Sequence, residues 1–137
     1  MDYIRYDKPL AVEHLVFQVK PERLEEWLAL DHELWTVGES QAWPGMVRKE
    51  VWLNSQVPGE VHCLIYWSDY QLWMGIDPDW LAANEKRFAE RFGAADYRFV
   101  RGDHEAGNQC YKISEANPLR WGPGAAPAPG PIDTVSP

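Results

Sequence analysis

The spacing of apolar and polar residues predicts four β-strands along this chain. In the segment AVEHLVFQV, Leu15, Phe17 and Val19 share one side of an extended backbone and more polar residues occupy the other, as in a strand with one buried face. The run VHCLIYW is apolar almost throughout, which is typical of a central strand. The predicted strands cover residues 11–19, 46–54, 61–67 and 97–103, and CYKIS at 110–114 is a candidate edge strand.

A first helix is predicted between the first two strands. Pro21 stands where a proline suits the first turn of a helix. The residues after it repeat an apolar side chain at helical spacing, until the segment SQAWPG ends the pattern. The stripe consists of Leu24, Trp27, Leu28, Leu34 and Trp35.

A second helical region is predicted in two pieces after the third strand. Ser68 is an N-cap candidate, and Gln71 three residues later completes a capping box. Asp77 and Pro78 supply a second cap and first turn. The helix that they begin is expected to end at Gly93, because glycine favours the backbone conformation of a helix C-terminus.

The predicted order, β-α-β-β-α-β, is that of a ferredoxin-like α+β fold with a four-stranded antiparallel sheet. We predict one domain over residues 1–117. Residues 118–137 form a tail rich in proline, glycine and alanine that holds six of the 11 prolines, so neither a regular helix nor a central strand is expected there. This tail is a candidate contact for a protein partner.

One face of the predicted sheet has no helical layer. Val16, Trp52, Leu64 and Tyr66 are expected on that face, where they would make an apolar patch that is unusual on a monomer. We therefore predict a homodimer, a dimeric α+β barrel, in which two such sheets close on each other.

Composition excludes several classes of protein. The chain has 21 acidic and 13 basic residues and a formal charge of −8, so neither nucleic acid nor a membrane surface is expected as a partner. No stretch approaches the roughly 20 apolar residues of a membrane span, and the polar start is not a signal peptide. Two cysteines do not make a disulfide framework. A cytoplasmic location is expected.

The aromatic segment YWSDYQLW runs from the third strand into the following helix. With the β-α-β-β-α-β order, it resembles the dimeric α+β barrel superfamily over residues 10–104. The chain is most similar to domains of the antibiotic-biosynthesis-monooxygenase type, and also to a small group of cyanobacterial proteins built on that plan. The resemblance implies a cleft between sheet and helices that holds a flat aromatic or porphyrin ligand.

The resemblance also implies three catalytic candidates. Haem-degrading members place an asparagine on the first strand, a tryptophan after the third strand and a haem-ligating histidine further along that helix. These positions fall at His14, Trp73 and Asn84 of this chain. A carboxamide is a poor iron ligand, so Asn84 disfavours haem, and no cluster of metal-ligand spacing is found. No cofactor is expected.

Five further residues are candidates for ligand binding because they lie on or beside the apolar faces of the predicted elements. Each also has an ordinary structural interpretation: core packing for the aromatic residues, and a solvated boundary for the acid and the histidine. Equally, His14 could serve a dimer interface, Trp73 the core, and Asn84 a bond to neighbouring backbone. The five candidates are Trp27, Asp31, His32, Trp67 and Phe88.

Three functions follow as hypotheses. The first is a homodimeric, monooxygenase-like domain that binds a flat hydrophobic molecule and oxygenates it without a cofactor. The second is a non-enzymatic dimeric interaction module whose proline-rich tail contacts a partner. The third is a haem-binding domain.

Overall fold

Five antiparallel strands form one sheet in the computed structural model, which describes residues 2–118. The strand order is β2-β3-β1-β4, and β5 pairs with β1. This is the ferredoxin-like arrangement, so the predicted α+β class is confirmed, with five strands in place of four. The strands are β1 (Asp2–Val19), β2 (Met46–Leu53), β3 (Glu60–Trp67), β4 (Tyr97–Gly102) and β5 (Cys110–Asn117).

The first strand is nine residues longer than predicted, since it begins at Asp2 in place of Ala11. The polar lead-in is extended because its backbone pairs with β5, from Asp2 opposite Asn117 to Val12 opposite Cys110. Backbone pairing of this kind needs no apolar alternation, so the pattern of side chains did not reveal it. Ala11 pairs with both Trp67 of β3 and Tyr111 of β5. β5 therefore lies along the same edge of β1 as β4 does.

The first helical region is continuous but not uniform. A 3₁₀ turn over Pro21–Arg23 leads into helix α1, and a π-helical segment over His32–Val37 joins α1 to α2. The chain leaves the helix at Trp43, whose backbone is extended, as the segment SQAWPG predicted. The four α-helices are α1 (Leu24–Asp31), α2 (Gly38–Ala42), α3 (Tyr70–Met74) and α4 (Pro78–Phe92).

The predicted cap of α4 is confirmed, and that of α3 is wrong by one residue. Asp77 accepts a hydrogen bond from the Asp79 amide at 2.9 Å, and the helix ends at Gly93 with φ of 105°, a backbone angle that favours glycine. At α3 the cap is Asp69, whose carboxylate accepts from the Gln71 amide at 2.7 Å. Ser68 instead bonds through its amide to the carbonyl of Gly45 at 2.8 Å, one residue beyond the end of β3.

The helices cover one face of the sheet, here the inner face, and the largest fully buried side chains lie between them. Trp27, Trp67 and Phe88 are each at most 1% exposed. Burial of such large rings contributes strongly to the stability of the core. No helix within residues 2–118 is long and apolar enough to cross a membrane.

The outer face of the sheet is less exposed than the sequence suggested. Val16, Leu64 and Tyr66 are 0%, 8% and 8% exposed within the single chain, and Trp52 alone of the predicted patch is exposed, at 52%. Leu64 and Tyr66 are covered because the unpredicted part of β1 brings Tyr6 and Leu10 against them. The Lys112 ammonium of β5 adds to this cover, 4.5 Å from the centre of the Tyr66 ring.

Candidate functional site

A cavity of about 470 Å³, here called the cleft, lies between the inner face of the sheet and the helices. Its walls are mainly apolar and aromatic, and its charged groups come from both the sheet and the helices. The aromatic and aliphatic lining includes Leu15, Phe17, Trp35, Ile65, Tyr97 and Phe99. The charged lining consists of Glu13, Asp31, Glu39, Lys49, Glu85 and Glu105.

The sheet places an acid and a base on either side of one apolar residue. Glu13 of β1 and Lys49 of β2 both pair with Ile65 of β3. Directly opposed residues point to the same face of a sheet, so both charged side chains face the cleft. The Lys49 ammonium lies 2.7 Å from the Asp31 carboxylate of α1, and both side chains are 6% exposed.

The π-helical segment aligns three further cleft residues, Asp31, Trp35 and Glu39. In an α-helix, each step of four residues turns the side chain about 40° further around the helix axis. Asp31, Trp35 and Glu39 would therefore not lie on one narrow stripe of a regular α-helix. A π turn takes an extra residue per turn, and it counteracts this drift between positions 31 and 39. Segments of this kind are frequent at functional sites.

The Glu13 carboxyl group is held in place by an indole. Trp67 donates its Nε1–H to Glu13 Oε1 at 3.0 Å. Burial raises the pKa of Glu13 from 4.5 to about 7, although the Trp67 bond and the Lys49 charge both oppose the rise. Glu13 therefore changes protonation state near neutral pH, which suits a general acid or base.

The helical carboxyl groups are also shifted. Burial first, and then the neighbouring charge of Glu13, raise the pKa of Glu39 from 4.5 to about 8. Burial raises the pKa of Asp31 as well, while the charge and hydrogen bond of Lys49 lower it. Glu39 is 7% exposed and has no hydrogen-bond partner within residues 2–118. Clusters of shifted groups in a cleft are typical of functional sites.

Of the eight sequence candidates, Asp31 alone lines the cleft, and Trp67 reaches it through Glu13. Trp73 belongs to the core, where it stacks on Trp67 with ring centres 6.4 Å apart. Trp27 and Phe88 are also core residues, 5.7 Å apart. These aromatic rings are excluded from the cleft because they fill the space that the helices need to pack on the sheet.

Asn84 and His32 are likewise outside the cleft lining. Asn84 is 1% exposed and donates its side-chain amide to the carbonyl of Leu34 at 3.0 Å, so it joins α4 to the π-helical segment. His32 is exposed on the same segment. The surroundings of both residues fit their structural interpretations, and their roles in ligand binding or catalysis stay predictions.

His14 lies on the outer face of the sheet, as its alternation with Leu15 implied, and not in the cleft. Its ring joins a chain of close contacts: Nδ1 is 2.8 Å from Asp103 Oδ2, and Nε2 is 2.9 Å from Nδ1 of His62. His62 Nε2 continues the chain to Glu60 Oε1 at 2.7 Å. Because all four ring nitrogens have partners, neither histidine presents a free nitrogen to a substrate.

Sequence reasoning missed Glu13, Glu39 and Lys49, although a signal for each was present. Glu13 shares the alternation of Leu15 and Phe17, and Lys49 shares that of Val51, so both were charged residues at inward positions. Glu39 follows Asp31 by eight residues along the buried side of the first helical region. An inward-facing charge on a strand is costly to bury and is therefore a useful marker of a site.

The residues present do not fit haem. The position of the expected iron ligand is Asn84, which is buried and bonded to backbone. The part of the cleft that the structure describes is lined by five carboxyl groups and no histidine. A porphyrin with acidic side groups would meet charge repulsion there.

Comparisons with known proteins give similarity at the level of fold. No protein-family model and no curated protein matches the chain. Among solved structures, MupZ from Pseudomonas fluorescens is 17% identical over 68% of each chain, with a TM-score of 0.48. SnoaB from Streptomyces nogalater, a cofactor-independent oxygenase, is 13% identical over 81% of this chain and 97% of its own, with a TM-score of 0.47. An antibiotic biosynthesis monooxygenase is 16% identical over 78% and 99%, with a TM-score of 0.44.

Proposed function

We propose that the cleft binds a flat, largely apolar aromatic molecule and promotes its reaction with dioxygen without a cofactor. The observation that carries this proposal is the Glu13 carboxyl group, which has a pKa near 7 and faces an aromatic-walled cavity of about 470 Å³. An apolar pocket with a few convergent polar groups of shifted pKa is the usual form of a small-molecule site.

Each polar group has a defined role in the proposed reaction. Glu13, oriented by Trp67, takes a proton from a weakly acidic C–H or O–H group of the substrate. The Lys49 ammonium stabilises the negative charge that develops. Phe17, Trp35 and Phe99 hold the ring and exclude water.

The reaction balances without an added reductant because the substrate supplies the electrons. For a ring CH₂ group, the carbanion left by proton transfer to Glu13 gives its electrons to dioxygen and forms a C–O bond. The proton held by Glu13 completes a hydroperoxide. Loss of water then leaves a carbonyl group, with one oxygen atom in the product and the other in water.

Anthrone is a suitable probe, since it is a flat neutral ketone with a weakly acidic CH₂ group. We expect the protein to accelerate its conversion to anthraquinone, measured by oxygen uptake and quinone absorbance, above the spontaneous rate. Glu13→Gln should reduce the acceleration by about 100-fold or more, the usual contribution of a general base.

Glu90→Gln is the matched control, because Glu90 is an exposed glutamate on α4 outside the cleft. It makes the same substitution away from the cleft and should leave the rate unchanged. Equal rates for wild type and Glu13→Gln would overturn the assignment of the base. Failure of a fluorescence titration to detect anthrone or any other flat aromatic probe would overturn the proposed function itself.

A further inference from the structure

Acidic side chains far outnumber basic ones around the cleft. Five acidic side chains line it, and Lys49 is the one basic side chain among the lining residues that the structure describes. Most of these acids have partners. Asp31 is paired with Lys49 at 2.7 Å, Glu13 accepts from Trp67 at 3.0 Å, and Glu85 accepts from the Tyr97 hydroxyl at 2.6 Å.

Among these residues Glu39 and Glu105 have no hydrogen-bond donor, and Glu39 is the one of the two that is buried. It is 7% exposed, it lines the cleft, and no donor within residues 2–118 reaches its carboxyl group. A polar group in a largely buried position that no protein donor reaches is usually satisfied by water, an ion or a ligand. The cleft gives this carboxyl group access to a ligand.

The walls of the cleft define the charge that such a ligand would carry. Trp35 and Phe17 are aromatic, and aromatic faces attract cations. A negatively charged ligand would meet several acids and a single ammonium, that of Lys49, which Asp31 already shares. A positively charged group would gain a charge-assisted hydrogen bond to Glu39, the stronger class of hydrogen bond.

We propose that the cleft selects flat aromatic molecules that carry a positive charge, with an ammonium or protonated ring nitrogen bound to the Glu39 carboxylate. This inference rests on the proposed function and specifies its substrate class. The positive charge also has a consequence for the reaction. A substrate anion formed beside Glu13 would lie among carboxyl groups, and a cationic group on the same molecule offsets that repulsion.

Three probes with one ring system test the selection: 2-naphthylmethylammonium, 2-naphthalenemethanol and 2-naphthoate. Titrations followed by tryptophan fluorescence at pH 7 should show the ammonium binding at least about tenfold more tightly than the alcohol, as expected for one charge-assisted hydrogen bond. The carboxylate should bind most weakly. Equal affinity of the ammonium and the alcohol would overturn the proposal.

The Glu39→Gln variant tests whether Glu39 is the group that causes the preference for the ammonium. It should reduce the affinity for the ammonium to within about twofold of that for the alcohol, while the affinity for the alcohol changes little. Glu90→Gln, which makes the same substitution outside the cleft, should keep the full preference. If Glu39→Gln retained the tenfold difference, another group would be responsible and the proposal would fail.

Proton release provides a measurement that needs no variant. Burial raises the pKa of Glu39 to about 8, so the group is largely protonated at pH 7 and must ionise to pair with a cation. Calorimetry in two buffers of different ionisation enthalpy should detect release of close to one proton with the ammonium and none with the alcohol. Binding of the ammonium without proton release would contradict the role of Glu39.

The outcomes separate this inference from the proposed function. If none of the three probes binds, the cleft is not an aromatic site and both proposals fail. If all three bind with similar affinity, the cleft remains an aromatic site and only the charge selection fails.

Discussion

At the scale of single residues, burial raises the pKa of three carboxyl groups above the ordinary range. Glu13, Asp31 and Glu39 lie between a sheet and helices where water is largely excluded, and the charged form of a carboxyl group is disfavoured there. Asp31 is compensated by a lysine, and Glu13 by an indole N–H. Glu39 lacks such a partner, and burial followed by the neighbouring charge of Glu13 raises its pKa to about 8.

The stability of the protein should depend on pH through Glu39. Its pKa in the folded protein, about 8, exceeds the ordinary value of 4.5, so the folded state holds a proton that the unfolded chain releases. This stabilisation is complete below about pH 4.5 and is lost as the pH rises through 8, at no more than about 1.4 kcal/mol per pH unit. We expect the thermal midpoint of the wild type to fall between pH 5 and pH 9. Glu39→Gln should reduce that decline, and the remainder should come from Glu13, whose pKa is also raised, to about 7.

Glu90→Gln again serves as the control and should follow the wild type. Measurements above pH 5 avoid the contribution of carboxyl groups with lowered pKa values, such as Glu115 at about 2. Parallel curves for the wild type and Glu39→Gln would show that Glu39 is not buried as a neutral acid.

Trp67 should act as a positioning residue for Glu13. Trp67→Phe removes the hydrogen bond that lowers the pKa of Glu13, so the apparent pKa in the pH dependence of anthrone oxidation should rise above about 7. Trp73→Phe is the control, because Trp73 stacks on Trp67 but makes no bond to Glu13. An unchanged pH profile in Trp67→Phe would limit Trp67 to core packing.

At the scale of elements, the π-helical segment is the feature that builds the helical side of the cleft. It brings Asp31, Trp35 and Glu39 to one side, and Asn84 of α4 binds the carbonyl of Leu34 within it. Asn84 thus holds the π-helical segment in place from the core. Such a tie is useful because a π-helical segment is a rare departure from α-helical geometry.

Asn84→Ala separates a structural role from a ligand-binding role. It leaves the Leu34 carbonyl without its donor, so urea unfolding should show a loss of about 1–3 kcal/mol in the free energy of unfolding. Affinity for the naphthyl probes should persist, since Asn84 does not line the cleft. Asn108→Ala, at an exposed site, should be neutral. Loss of probe affinity at unchanged stability would instead support the catalytic prediction for Asn84.

At the scale of the whole molecule, homodimerisation stays a prediction. The outer face of the sheet, which was expected to drive dimerisation, is largely covered within one chain. The apolar residues that stay exposed on β2 lie on a strand at the edge of the sheet. They are Val47, Val51, Trp52 and Leu53, between 38% and 53% exposed. The predicted role of residues 118–137 as a partner-binding tail lies outside the described residues, except for Pro118.

Trp52→Glu tests the dimer at the outer face. If two sheets close on each other, light scattering after gel filtration should report a dimer for the wild type and a monomer for this variant, because a buried unpaired charge is unfavourable at an interface. Met74→Glu, on an exposed position of α3, should remain dimeric. A monomeric wild type would contradict the prediction directly.

The sequence by itself determined the ferredoxin-like α+β plan, because each main element depends on local signals: alternation in the strands, the stripe from Leu24 to Trp35, and the cap at Asp77. It also indicated that His14 faces away from Leu15. Signals of this kind act over a few residues, so they need no knowledge of distant partners.

Only the tertiary structure decided where the site lies. Glu13, Lys49 and Glu39 are far apart along the chain and meet because β1 and β2 flank β3 and a π-helical segment realigns one helix. The same long-range pairing extended β1 to Asp2 and covered Tyr66. The acidity of a carboxyl group depends on the water and charges around it, and packing between distant segments sets both.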